Sequence, residues 1–246
     1  MKYKALMLDL DGTTVLSHSL TPSIKVTEAI SKVRDQIHVC LATGRFLSQI
    51  EPIIDHLHLS GPCVIANGIQ IYDPQRKKIT REIKLDPKHH QEIYEIVRSY
   101  GEVKVFNGEM DIPYAQGKKG KIFSFYLPVM DKGNVDRLMK QLKHLSDVTV
   151  HQMTTADAKM IGIEICHVSA TKQHGILEVA ELLKIKTHEI IGVGDGYNDF
   201  PLLMACGLKI AMGNAVPELK AIADFIAPPV EEDGVATVIE KFILNS

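Results

Sequence analysis

Apolar residues along this chain fall into short runs, and the polar stretches between them repeat with helical spacing. The opening part predicts a strand over 3–10, a helix over 22–34, a strand over 37–41, a helix over 46–58 and a strand over 62–66. Such alternation builds right-handed βαβ units on a parallel sheet. Asn67-Gly68 follows, with Ile69 and Ile71, a turn at Asp73-Pro74, then Ile79 and Ile83, which together predict a hairpin.

From 84 to 167 the pattern changes to a helix, a strand, a loop, a strand, a helix and two further strands. After Thr171 the strict alternation returns, with a helix over 172–183, a strand over 189–193, a helix over 199–206, a strand over 208–212 and a last helix over 233–244. The expected fold class is α/β: a doubly wound, Rossmann-like parallel-sheet core formed by 1–83 and 168–246, with 84–167 inserted as an α+β cap domain.

The composition is that of an ordinary globular protein: 246 residues, 45% hydrophobic, 24% charged, net charge -2. Without a basic excess the chain is not expected to bind nucleic acid, so the partner is expected to be a small molecule. No apolar run approaches a membrane span and no leader pattern opens the chain, so no membrane partner and a cytoplasmic location are expected. A monomer or weak homodimer is the expected assembly. Cys40, Cys63, Cys166 and Cys206 are scattered in apolar surroundings and read as reduced core thiols.

Candidate chemistry collects where predicted strands give way to loops. Asp9 and Asp11 stand one residue apart at the end of the first strand, where alternate residues share a face and two carboxylates can converge on a cation. The competing reading is a strand-end acid and a turn acid before Gly12. Gly192-Val193-Gly194-Asp195-Gly196-Tyr197-Asn198-Asp199 repeats the arrangement, although Asp195 also suits a turn and Asp199 a helix cap. All four acids lie on connections of one inferred sheet, hence on one edge, and need a hard cation; magnesium suits oxygen ligands. Thr43-Gly44-Arg45 could cradle an anion at a helix start or form a plain turn and N-cap, with Arg45 a phosphate ligand or a solvated charge. Lys172 opens a helix at the unfavourable end of its dipole, which suggests a specific anionic partner.

Together these segments resemble the haloacid dehalogenase (HAD) superfamily of aspartate-nucleophile phosphatases, and within it the Cof-like group with a large α/β cap. Asp9-Leu10-Asp11-Gly12-Thr13, Thr43-Gly44-Arg45, Lys172 and Gly194-Asp195-Gly196-Tyr197-Asn198-Asp199 match its four motifs in order. Ala66-Asn67-Gly68, Ile163-Glu164-Ile165 and Ala211-Met212-Gly213-Asn214-Ala215 match further landmarks, making Asn67 and Asn214 additional candidates. One departure is that Lys172 is followed by Gln173-His174-Gly175 where the family often has glycine next to the lysine.

The resemblance implies that Asp9 attacks phosphorus and that Asp11 carries the proton. It implies magnesium held by Asp9, the Asp11 carbonyl, Asp195 and Asp199, and phosphate oxygens held by Thr43, Gly44, Arg45, Lys172 and Asn198. The implied function is magnesium-dependent hydrolysis of small phosphomonoesters, sugar phosphates foremost. A phosphomannomutase-like phosphotransferase and a phosphate-sensing binding protein are the alternatives. In the cap, Lys118 and Lys121 lie on a basic glycine-containing loop that could meet substrate or be a solvated turn.

Overall fold

The apolar run after Tyr3 forms β1 (Ala5–Leu8), every residue of which is buried. There follow α1 (Ile24–Val33), β2 (His38–Leu41), α2 (Leu47–Leu57), β3 (Cys63–Ile65), β4 (Gln70–Asp73) and β5 (Lys78–Glu82). The middle of the chain adds α3 (His90–Val97), β6 (Lys104–Phe106), β7 (Asp111–Pro113), a short α4 (Tyr114–Gly117), β8 (Ser124–Asp131), α5 (Lys132–Leu142), β9 (Val148–Thr154) and β10 (Met160–His167). Then come α6 (Lys172–Leu182), β11 (Ile190–Gly194), α7 (Phe200–Ala205), β12 (Leu208–Ala211), α8 (Pro217–Ile222), β13 (Phe225–Ile226) and α9 (Gly234–Ile239). These elements belong to a computed structural model that describes residues 2–17, 19–117, 120–154 and 160–245.

The chain divides into one unit made of Met1–Arg81 with Thr171–Ser246 and another made of Glu82–Ala170. The first is built on a parallel sheet in the order β13-β12-β11-β1-β2. In its register Leu8 stands opposite both Val193 and Leu41, so β1, β2 and β11 end level with one another. The loops that carry Asp9, Thr43 and Asp195 therefore leave from one edge, where open α/β sheets build their sites.

Side-chain capping starts the helices: the Val26 N–H donates to Ser23 Oγ at 3.1 Å ahead of α1, and the His174 N–H donates to Thr171 Oγ1 at 3.2 Å ahead of α6. The buried faces of α1 (Val26, Ala29, Ile30, Val33) and α2 (Ile50, Ile53, Ile54, Leu57) join the strands in one apolar cluster.

Three local departures from the expected pattern have physical reasons. β3 is joined to the chain just after β2 by a parallel bridge between Ala42 and Val64 and pairs antiparallel with β4, because the turn Ala66–Gly68 sends the chain straight back. The helix expected from 199 begins at Phe200, with Pro201 in its first turn, and a 3-10 turn over Tyr197–Asp199 precedes it. α8 and β13 were not foreseen, being only 6 and 2 residues long.

In the second unit the sheet runs β7-β6-β8-β10-β9 with antiparallel pairing. Val105, Phe125, Leu127, Ile163 and Ile165 pack with Ile93, Val97 and Leu138 from α3 and α5. β7 and α4 occupy part of the stretch expected as loop. All four cysteines are free and buried. Among the described residues no helix is long and apolar enough to cross a membrane.

Candidate active site

Asp9 follows β1, and its N–H still donates to the Val193 carbonyl at 2.9 Å, so the sheet itself fixes its position. Directly after it the N–H groups of Thr13, Thr14 and Val15 all donate to the Leu10 carbonyl, winding the chain into a tight turn, and the Thr14 hydroxyl donates to the Asp9 carbonyl at 2.6 Å. Gly12 takes φ 77°, and a Cβ there would run into the Asp195 carboxylate, so this turn requires glycine.

Lys172 enters from the first turn of α6, is 1% exposed, and donates from Nζ to Asp9 Oδ1 and to Asp199 Oδ1, each at 2.6 Å. The other Asp199 oxygen accepts the N–H groups of Asp195 and Gly196 at 2.9 and 2.8 Å. Asp199 thus joins the lysine to the loop after β11. Gly194 makes this approach feasible, since a Cβ on it would lie 2.6 Å from Asp199 Cβ and Cγ. At the expected departure in the lysine motif, it is Gly175 that packs closely: a Cβ there would lie 2.5 Å from Val64 Cγ1 of β3.

Asp195 is held by the Thr13 hydroxyl, which donates to its Oδ1 at 2.8 Å. Asn214 closes the far side, donating from Nδ2 to the Gly12 carbonyl at 2.8 Å and accepting the Val230 N–H at 2.9 Å. Carboxylate oxygens of Asp9, Asp195 and Asp199 all lie within 4.8 Å of one another. Burial and the charge of Asp199 push the Asp9 carboxyl up to about 7 against the pull of Lys172. Burial and the charges of Asp9 and Asp199 push Asp195 up to about 8. Burial works against the charge on Lys172, but the charges of Asp199 and Asp9 and its hydrogen bonds to both hold it above the usual lysine range. Three carboxylates gathered this closely form an all-oxygen donor set, the kind a hard divalent cation takes.

Asp11 points elsewhere. Its carboxylate accepts a two-pronged contact from Arg45, Nε to Oδ2 at 2.8 Å and a terminal nitrogen to Oδ1 at 2.7 Å; the same terminal nitrogen also donates to the Ser19 carbonyl at 2.9 Å. The alternate-face argument for Asp9 and Asp11 does not apply because the strand ends at Leu8 and Asp11 lies within the turn that closes on the Leu10 carbonyl. Any metal ligand from Asp11 would be its main-chain carbonyl. Arg45, expected as a phosphate ligand or a solvated charge, is paired with Asp11 in this structure.

Thr43 is 1% exposed; its N–H donates to the Val64 carbonyl at 2.9 Å, and its hydroxyl accepts the Arg45 N–H at 3.1 Å. Gly44 lies against the side chain of Asn67, and Asn198 Nδ2 donates to Asn67 Oδ1 at 3.2 Å. Asp9, Asp11, Thr43, Gly44, Arg45, Asn67, Lys172, Asp195, Asn198, Asp199 and Asn214 all belong to the first unit. Lys121 lies in the second unit and is exposed, and Lys118 is outside the described residues. The structure adds Thr13, Thr14 and Ser19, to which the sequence pattern assigns no role of their own. The hydroxyls next to Asp11 were the available signal for the first two; Ser19 acts through its carbonyl, which no side-chain pattern reports.

The family model for haloacid dehalogenase-like hydrolases matches this chain over residues 6–127 and 107–239. A 5-amino-6-(5-phospho-D-ribitylamino)uracil phosphatase of Bacillus subtilis, YwtE, is 28% identical, with 98% of each chain covered. A second phosphatase of that name from the same organism, YcsE, is 25% identical, with 98% of this chain and 96% of the relative covered. The solved structure of a haloacid dehalogenase-like hydrolase from B. subtilis superposes with a TM-score of 0.83 at 22% identity, covering 98% of this chain and 100% of the other. The chain belongs to the haloacid dehalogenase-like hydrolases. Within that family it is a phosphatase of the Cof-like group.

Proposed function

We propose that the enzyme hydrolyses phosphomonoesters of small, hydroxyl-rich metabolites, sugar and sugar-alcohol phosphates foremost, in two displacements at Asp9. The observation that carries this reading is the position of Lys172 Nζ, 2.6 Å from both Asp9 and Asp199 beside the carboxylate of Asp195. With all three carboxylates ionised against one ammonium, two negative charges are left over, the charge a divalent cation would balance. Asp9, Asp195, Asp199 and the Asp11 carbonyl would hold magnesium. When bound it supplies charge neutralisation for the acids and for phosphate oxygens.

Asp9 Oδ attacks phosphorus while the ester oxygen leaves with a proton from Asp11, which carries that proton only when released from its two-pronged contact with Arg45, and an aspartyl-phosphate forms. Asp11, now a carboxylate, takes a proton from water, which attacks the phosphorus and releases inorganic phosphate and free Asp9. Lys172, Thr43, the Gly44 N–H and Asn198 would hold the transferring oxygens, so positioning and electrostatics supply most of the acceleration. Arg45 acts at the same oxygens or through Asp11. The inserted unit would act as the cap that selects the leaving group, with Lys121 as a contact, a role that fits the substrate names of the relatives: the B. subtilis phosphatases are named for a phosphorylated ribityl chain.

The test is inorganic phosphate release from a panel of phosphorylated sugars, polyols and nucleosides with magnesium, ranked by kcat/KM. The wild type is expected to favour hydroxyl-rich esters, and Asp9→Asn to lose at least about 1,000-fold in kcat with its circular dichroism unchanged. Substantial turnover by purified Asp9→Asn would remove Asp9 as the nucleophile.

A further inference from the structure

The turn after β3 is the most strained backbone at the site. Ala66 and Asn67 are consecutive non-glycine residues in the left-handed region, at φ 47° and 53°, and Gly68 follows at φ 98°. Neighbouring groups hold it there: the Ala66 N–H donates to the Arg45 carbonyl and the Asn67 N–H to the Thr43 carbonyl, each at 3.0 Å. Gly68 lies so close to the backbone of Thr171, the cap of α6, that a Cβ would collide with it.

The side chain of Asn67, 2% exposed, accepts the Asn198 amide at 3.2 Å and lies where a Cβ on Gly44 would be 3.1 Å from its Oδ1. One three-residue turn therefore touches the loop of Thr43 and Gly44, the start of the Lys172 helix and the loop of Asn198.

We infer that Asn67 is a positioning residue: its side-chain carbonyl fixes the Asn198 amide and its main chain fixes Thr43, so that both present their donors to the same phosphoryl group. Asn suits the position because it tolerates a left-handed backbone and carries an acceptor one carbon beyond Cβ. The inference rests on the phosphatase reading of the site, which places Asn198 on the transferring oxygens.

The experiment is a double-mutant cycle on turnover of p-nitrophenyl phosphate with magnesium, with a thermal melt of each protein. Asn67→Gly keeps the left-handed backbone but removes the acceptor; it is expected to lower kcat about tenfold while KM changes by less than about threefold. In an Asn198→Ala background the same change is expected to add almost nothing. Asn67→Asp, which keeps the acceptor and accommodates the same φ, is expected to recover most of the lost kcat, and it carries the test should Asn67→Gly not fold.

Losses that multiply in the double mutant would overturn the inference, as would a raised KM with kcat unchanged, which marks a direct phosphate contact. A lowered melting temperature with full kcat per folded molecule would leave Asn67 only a structural role and overturn it too. Asp9→Asn is assayed alongside: full activity there removes Asp9 as the nucleophile, and with it the placement of the phosphoryl group on which the inference rests, separately from the outcome of the cycle.

Discussion

Arg45 grips the carboxylate of Asp11 with two nitrogens, at 2.8 and 2.7 Å, across 34 residues of sequence. A guanidinium fork matches both oxygens of a carboxylate, which the single ammonium of lysine cannot do. Because the same guanidinium also donates to the Ser19 carbonyl, it ties Asp11 to the loop leading into α1. Arg45→Lys is accordingly expected to keep the charge but lower kcat/KM about tenfold, read from phosphate release. Unchanged kinetics in that variant would deny the fork any role.

Lys172 is the only cation that the described hydrogen bonds place between Asp9 and Asp199, and both acids are buried. Removing it strands two buried carboxylates, so Lys172→Met is expected to destabilise the metal-free protein by about 3 kcal/mol in urea unfolding and to abolish turnover. Lys172→Met combined with Asp199→Asn is expected to recover part of the stability and none of the activity.

Gly12 tests the geometry of the turn without removing a charge. Gly12→Ala puts a Cβ against Asp195 at a φ of 77°, and a loss of about 1–3 kcal/mol is expected from the strained backbone and the displaced carboxylate together. A thermal melt equal to the wild type would show that the loop relaxes at no cost.

Magnesium is expected to raise the melting temperature of chelator-treated protein, by the equivalent of about 2.7 kcal/mol at a hundred times its dissociation constant. Asp195→Asn removes one of the three clustered carboxylates and is expected to abolish that shift. A shift that persists in the variant would place the ion elsewhere.

Away from the site, burial and the charge of Glu164 push the Asp111 carboxyl up to about 6, with Lys104 opposing. Folded Asp111 thus holds its proton more tightly than the unfolded chain, whose ordinary value is 3.8, and its contribution to stability falls as pH rises from about 4 to about 6. Asp111→Asn is expected to unfold at higher urea than the wild type above pH 6, with the difference closing towards about pH 4. A difference independent of pH would trace to packing instead.

The order of elements in the first unit was legible in the residues because periodicity of apolar positions is a local property: runs such as Ala5–Leu8 and Ile190–Gly194 are buried throughout and cannot be solvated helix faces. Strand-end acids were legible for the same reason. The fate of β3 was not, because a three-residue strand carries too little pattern to choose between extending a parallel sheet and turning back into β4. Nor was the separation of Asp11 from Asp9, since alternation holds only while the strand continues, and β1 ends at Leu8 before either acid.

By itself the sequence determined which residue types stand at the ends of β1, β2 and β11 and that the chain between 84 and 167 follows a different pattern. Tertiary structure alone decided the partners: Lys172 reaches Asp9 across 163 residues, Thr13 reaches Asp195 across 182, and Asn198 reaches Asn67 across 131. Those meetings depend on the level register of three parallel strands and on backbone turns with positive φ at Gly12, Ala66 and Asn67. Both are settled by packing between distant segments, to which local periodicity is blind.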